Sequence, residues 1–347
     1  MIALDPAIAA ILPEWFEKHA RPLPWRRDAD PYRVWISEIM LQQTRVETVK
    51  GYYERFLAEA PDVYALAALD EARLLKLWEG LGYYSRARNL MRAAQMIVSE
   101  YGGAFPDSYD ALLKLPGVGA YTAGAIASIC FGLPTPAVDG NVLRVIARIA
   151  GVSEAIDLEK TKRMIADALS RIYPADQTSE FTQGLIELGA TVCLPNGQPK
   201  CENCPVAAMC FAYQNDAIAA FPVKSEKKKR RVEEMTVFML RCGDALAIRK
   251  REKRGLLAGL WELPHAQGML GEKQAWAVAE DWGASPITIS SAGQKEHVFT
   301  HIEWRMTCYL IDCGARAEDF LWADEEEIAH RYALPTAFRK LLPASFW

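Results

Sequence analysis

No apolar run in this sequence reaches the ~18 residues that a membrane span needs. The first fifteen residues, MIALDPAIAAILPEW, carry Asp5 and two prolines where a secretory leader would have a basic start and a small-residue cleavage site. These absences predict a cytoplasmic, unprocessed chain with no membrane partner. An excess of positive charge is also missing: 40 Lys and Arg face 44 Asp and Glu, for a formal charge of −4. Residues 1–231 are neutral overall and residues 232–347 carry the whole deficit. Such a chain does not coat nucleic acid by bulk electrostatics, so a nucleic-acid ligand would need local patches and backbone N–H groups. Histidine is scarce, five in 347 residues. Two of the five, His297 and His301, stand four apart, which is too few ligands for a zinc site. Finally, nothing before residue 232 is patterned like a strand.

What is present is helical periodicity. Segments 7–19, 61–69, 70–80, 85–101, 141–150, 158–172 and 177–190 read as helices, as does the pair within DPYRVWISEIMLQQTRVETVKGYYERFL. At Pro222 the pattern stops, and five consecutive bases follow, Lys227 to Arg231. That run is either a solvated linker or a contact to a DNA backbone. TVFMLRC, ALAIRKR and MTCYLIDC then read as strands. The expected fold class is multidomain, α then α+β: a helical domain over 1–220, a basic linker over 221–234 and an α+β domain over 235–347.

Three features of the helical part carry chemistry. LPGVGAYTAGAIASICFGLPTPAVDGN, residues 115–141, joins a turn containing Gly117 and Gly119 to an apolar helical run and then to a lone acid, Asp139. A Gly-rich turn opening a helix presents N–H groups to an anion, though a plain helix corner has the same pattern. Glu38 stands among apolar neighbours, either on a solvated face or beside a cleft where burial would make it a proton donor. Cys193, Cys201, Cys204 and Cys210 fall within 18 residues, spaced C-x7-C-x2-C-x5-C. Four clustered thiols suit zinc or an iron–sulfur cluster, and the chemistry alone does not choose. Cys130, Cys242, Cys308 and Cys313 are isolated and read as small buried hydrophobes.

SEIMLQQT, GLGYYSRARNL, LPGVGAYTAGAI, VDGNVLRV and the four-cysteine loop, in this order, resemble the adenine DNA glycosylases of the MutY family, within the helix-hairpin-helix and iron–sulfur glycosylase superfamily. The likeness runs over nearly the whole chain. It implies a [4Fe–4S] cluster on the four cysteines and a hairpin, Leu115–Gly119, whose amides grip a DNA phosphate. The seven residues between Cys193 and Cys201 are one more than the family pattern, which lengthens the loop. The implied partner is double-stranded DNA holding adenine opposite 8-oxoguanine, bound by a monomer that gathers on the nucleoid of a bacterial-type cell. An endonuclease III-like pyrimidine or thymine-mismatch glycosylase is the alternative.

Excising a base leaves an oxocarbenium-like sugar, so it calls for one carboxyl to protonate the base and another to face the sugar. Glu38 fits the first role, protonating adenine at N7. Asp139 fits the second, as electrostatic stabiliser or transient nucleophile, with Asn141 to orient it. In the strand-cleaving relatives a catalytic lysine follows the hairpin's last glycine by two residues. Here that position is Tyr121, and no lysine lies between Gly117 and Asn141, which implies base removal without strand cutting. Gln42 and Gln43, one turn past Glu38, can satisfy base edges that have lost their partners. The family likeness adds Gln43, Thr44, Leu81 and Tyr83 around the opposite base, Tyr83 as the wedge, and Arg26 near the adenine pocket. The C-terminal part resembles a Nudix domain, yet GEKQAWAVAEDWG lacks the R-E-x-x-E-E cluster that binds Mg²⁺, which implies recognition without hydrolysis. Its Phe299, Thr300 and His301 are then the loop that senses 8-oxoguanine, with Thr300 where a serine is common.

Overall fold

Helix-period sequence becomes helix throughout the first two thirds of the chain, in a computed structural model that describes residues 2–226 and 229–342. Lys227 and Lys228 of the five-base run lie outside the described residues. The helices are α1 (Ile8–His19), α2 (Pro31–Leu41), α3 (Val46–Glu59), α4 (Val63–Ala68), α5 (Glu71–Leu77), α6 (Ser85–Tyr101), α7 (Tyr109–Leu112), α8 (Ala120–Phe131), α9 (Gly140–Ala150), α10 (Glu159–Ser170), α11 (Thr178–Thr191) and α12 (Phe211–Gln214). Two compact units form: Met1–Ala68 with Asn89–Glu226, and Leu69–Arg88 with Lys227–Trp347. The segment 69–88, which by sequence order would join the helical domain, thus packs in the second unit.

In the first unit, α1, α9 and α11 share a core that includes Leu12, Phe16, Val142, Ile146, Phe181 and Leu188. Helix α2 begins where Pro31 follows Asp30, whose carboxylate accepts from the Arg33 N–H at 2.8 Å. Helix α8 is buried continuously from Thr122 to Ser128. Its Gly124 permits the following connection to cross at van der Waals distance, since a Cβ there would come within 2.3 Å of the Pro136 carbonyl. This crossing returns the chain to the N-terminal half of α8, and α9 starts immediately afterwards on Asp139.

The second unit is built on a sheet of order β3-β2-β1-β6-β5, with β4 also paired to β1 and β7 to β2. Its strands are β1 (Arg231–Cys242), β2 (Ala245–Lys250), β3 (Trp261–Glu262), β4 (His265–Gln267), β5 (Pro286–Val298), β6 (Ile302–Cys313) and β7 (Leu321–Ala323). Strand β1 starts inside the expected linker because Arg231 pairs in parallel with Ile302. Both faces of β1 and β6 are covered. Met235, Val237, Trp304 and Met306 pack on one side with Phe338, and Phe238, Leu240, Tyr309 and Ile311 on the other with Ala275 and Ala279. The covering helices are α13 (Glu272–Asp281), α14 (Glu325–His330) and α15 (Thr336–Arg339). Strands β5 and β6 form a hairpin whose tip is Phe299–His301, closed by the Phe299 N–H to the Ile302 carbonyl at 2.8 Å.

Candidate active site

Helix α2 carries Glu38 into a cleft of about 680 Å³ in the first unit, where Arg26, Tyr121, Asp139 and Asn141 also face. Glu38 is not on a solvated face: it is 7% exposed. The Tyr121 hydroxyl, from the first turn of α8, donates to its Oε2. Burial pushes the Glu38 carboxyl up to about 7, with Asp139 adding to the rise and the Tyr121 and Arg26 contacts opposing it. Asp139 is the N-cap of α9: its Oδ1 accepts from the Val142 N–H and its Oδ2 from Asn141 Nδ2, both at 2.8 Å. Burial raises its pKa too, while these hydrogen bonds and the charge of Arg144 pull it back down. The two carboxyls therefore sit in one cleft with unlike partners, a phenol on one and a helix N-terminus on the other.

Two groups of the site went unread in the sequence. Glu187 of α11 is fully buried and accepts from Arg21 Nε at 2.6 Å and from Arg26 Nη2 at 2.8 Å. Burial alone would raise its pKa, but the two arginines hold it below the usual range. The available signal was an acid inside an apolar helix, QGLIELGA, as for Glu38 in SEIML. Arg144 is the other: it donates to Asn141 Oδ1 at 2.9 Å and to the Gly189 and Cys193 carbonyls at 2.8 Å each.

Gln42, Gln43 and Thr44 follow α2 and line the same cleft, with Gln43 in the left-handed region at φ 59°. Gly117, at φ 76°, turns the chain before α8, and Gly119 is the N-cap of that helix. Both are exposed, while Leu115 and Val118 anchor the turn in the core. Cys193, Cys201, Cys204 and Cys210 line one cavity, beside which Arg148 Nη1 donates to Cys193 Sγ at 3.2 Å. Among the described residues no set of three or more His, Cys, Asp or Glu is arranged to hold one metal ion. The donor set is thiol only and surrounds a space instead of converging on a point, which fits a multi-iron cluster better than a single zinc. Of the isolated cysteines, Cys308 and Cys313 are buried, whereas Cys130 and Cys242 are only half-buried.

The second unit assembles its own cavity of about 600 Å³, where Tyr83 and Arg88 meet the loop 255–258 and the hairpin tip at Phe299, Thr300 and His301. The Tyr83 hydroxyl and Thr300 Oγ1 share a hydrogen bond of 2.7 Å. Phe299 packs edge-on against Trp304, and Arg230 Nε donates to its carbonyl at 3.1 Å. Leu81, two residues before Tyr83, is buried at 6% exposure. The positive φ of Gly80 and Gly82 on either side of it forms a tight corner that turns its side chain inward and leaves Tyr83 outside.

Residues 36–174 match the family described as HhH-GPD superfamily base excision DNA repair protein, and residues 236–344 match the NUDIX domain. The adenine DNA glycosylase of Homo sapiens is 32% identical over 96% of this chain and 73% of its own length. That of Buchnera aphidicola subsp. Schizaphis graminum is 33% identical over 94% and 95%. The chain belongs to the adenine DNA glycosylase family. As a DNA glycosylase of base excision repair, it shares the fold of its helical part with a thermostable thymine-DNA glycosylase, at 29% identity and a TM-score of 0.55 over 60% of this chain and 96% of that one. The glycosylase's C-terminal unit supplies the Nudix-like α+β fold expected from the sequence.

Proposed function

We propose that this glycosylase hydrolyses the N-glycosidic bond of adenine paired with 8-oxoguanine, and also with guanine, in duplex DNA, and leaves the strand uncut. The observation that carries the reading is the buried Glu38–Tyr121 pair sharing a cleft with Asp139, with no lysine between Gly117 and Asn141. Adenine turned out of the stack enters that cleft. Protonated Glu38 donates to N7, the bond from C1′ to N9 breaks with its electron pair leaving on the base, and positive charge grows on the sugar. The Asp139 carboxylate, fixed by Asn141 and the Val142 N–H, faces that charge, and water then adds to C1′ with loss of a proton. Arg26, held by Glu187, lines the adenine side, and Gln42, Gln43 and Thr44 meet base edges exposed by the flip. Backbone amides at Gly117 and Gly119 hold a phosphate. Opposite the vacancy, Tyr83 fills the stack and Phe299, Thr300 and His301 read the partner base, with the Thr300 hydroxyl accepting from the N7–H that 8-oxoguanine has and guanine lacks.

Cys193, Cys201, Cys204 and Cys210 would hold a [4Fe–4S] cluster, which supplies a covalent cross-link of the loop after α11. The protein would act as a cytoplasmic monomer on nucleoid DNA. Base release is measured from duplexes with adenine opposite 8-oxoguanine, guanine or thymine, scoring strand breaks before and after alkali. Release should be fastest opposite 8-oxoguanine, with breaks only after alkali. Release of thymine or an oxidised pyrimidine in preference to adenine would sink the reading, and breaks without alkali at the excision rate would refute the absence of a lyase step. Glu38→Gln and Asp139→Asn should each lower excision by about 10²-fold or more while retaining DNA binding.

A further inference from the structure

Between Trp78 and Arg88 the second unit ties the chain into a small knot. Gly80, Gly82 and Tyr83 have φ of 98°, 70° and 46°, so three of four consecutive residues are left-handed. Glycine adopts this region freely, but for tyrosine it costs about 1 kcal/mol and persists only where the surroundings impose it. The imposing group is Arg86. Its Nη2 donates to the Leu81 carbonyl at 3.0 Å and to the Gly82 carbonyl at 3.2 Å, the latter shared with Trp78 Nε1 at 3.1 Å. The guanidinium lies 5.3 Å from the Trp78 ring centre and 5.7 Å from that of Tyr83. Arg86 itself is 9% exposed and Trp78 fully buried, whereas Tyr83 is 47% exposed.

A separate anchor holds the preceding helix. Glu79 Oε1 accepts from the Leu334 N–H at 2.7 Å, its Oε2 accepts from Lys76 Nζ at 2.8 Å, and Lys76 also donates to the Ile328 carbonyl at 2.9 Å. Fixing α5 to the 328–334 segment does not by itself choose the Tyr83 conformation. Arg86 does, because it clasps the two carbonyls preceding Tyr83 and meets its ring.

We infer that Arg86 is a positioning residue for discrimination of the base opposite the adenine, holding the Gly80–Tyr84 corner so that the Tyr83 hydroxyl meets Thr300. The inference rests on the reading of Tyr83 and Thr300 given above. Without the guanidinium, the Leu81 and Gly82 carbonyls lose a donor and Tyr83 relaxes out of the left-handed region. Its hydroxyl then leaves Thr300. Glu38, Tyr121 and Asp139 belong to the other unit and keep their partners, so the loss falls on the choice of partner base and not on bond cleavage.

The test uses the full chain with its cluster, comparing Arg86→Met, Arg86→Lys and Tyr83→Ala by single-turnover excision of adenine opposite 8-oxoguanine and opposite guanine, with thermal melting alongside. In Arg86→Met the ratio of the two rates should fall by about tenfold, the size of a lost cation–π contact and carbonyl hydrogen bonds. Arg86→Lys, which keeps a donor and a charge, should recover part of it. A ratio unchanged in Arg86→Met while Tyr83→Ala collapses it overturns the role of Arg86 alone. If Tyr83→Ala also leaves the ratio intact, the reading of Tyr83 fails instead. An equal fall on both duplexes with a lowered melting midpoint would make Arg86 merely structural and overturn the inference.

Discussion

At the scale of single residues, Glu38 carries a cost that is also its use. Folding moves its carboxyl from an ordinary 4.5 to about 7, chiefly by burial, so the folded state holds this proton more tightly than the unfolded chain. The resulting contribution to stability is complete below pH 4.5 and is lost as pH rises through about 7. Glu38→Gln removes the titration. Its stability relative to the parent should rise across that interval and then level off, by an amount on the order of 3 kcal/mol. Melting midpoints over a pH series measure this, and a constant offset between the two proteins would contradict the burial argument. The same group governs rate, and in the same sense. As the proton donor, Glu38 must be protonated in the free enzyme, so kcat/KM for adenine release should fall tenfold per pH unit above about 7. Single-turnover rates would show it, and a flat profile would remove Glu38 from the donor role. Both carboxyls were legible in sequence as lone acids in apolar settings, and Tyr121 only through the family resemblance, as the position where strand-cleaving relatives carry a lysine. Glu187 carried the same mark and was passed over, because its meaning comes from Arg21 and Arg26, which lie more than 160 positions away.

Among the elements, the turn before α8 separates two jobs that its glycines do. At Gly117 the left-handed φ and an ideal Cβ only 2.5 Å from Asn89 Cβ mean that alanine cannot fit without strain. Gly117→Ala should destabilise the protein by about 2 kcal/mol or more, read as a lowered urea midpoint. Gly119 has an extended φ of −94° and nothing within 4 Å of its Cβ position. Gly119→Ala should therefore keep the urea midpoint, yet weaken binding to undamaged duplex severalfold if a phosphate approaches the amides there. Unchanged affinity would count against the hairpin as a phosphate site. Strand β5 shows the opposite limit of legibility. Residues 286–298 are exposed at nearly every position and lie at the sheet edge, so no alternation marks them in sequence, whereas β1 and β6 bury both faces and read as apolar runs. The corner at Gly80–Tyr84 is visible in sequence from its glycines. That it turns Leu81 in and Tyr83 out is not, since both are apolar in part and only the backbone handedness decides.

For the molecule as a whole, the cysteine loop and the segment 69–88 determine how each unit closes. The cavity ringed by the four cysteines lies among Val145, Ile149 and Leu188 of the helical core, so a cluster there would tie the C-terminal segment of the first unit to α9 and α11. Cys204→Ser should lower bound iron and sulfide together, remove the visible absorption of the cluster and destabilise the first unit by several kcal/mol. Iron analysis and thermal melting check this, and a fully stable variant without iron would deny the cluster a structural role. Residues 69–88 carry an ordinary helical pattern, and nothing local in it says which unit it joins. That is settled by Lys76 and Glu79 meeting backbone groups near residues 328–334, and by Arg88 Nη2 donating to the Ala258 carbonyl at 2.8 Å.

The sequence by itself determined the helical and strand-bearing regions, the thiol set, the two carboxyls and the missing lysine, because periodicity, clustering and residue type are local properties of the chain. Only the tertiary structure decided that Glu38 is buried against Tyr121, that Asp139 caps α9 in the same cleft, and that Tyr83 stands outside its corner and bonded to Thr300. Each of these depends on which distant groups share a desolvated space. Desolvation and partner geometry set protonation and orientation, and neither is written in any local pattern of residues.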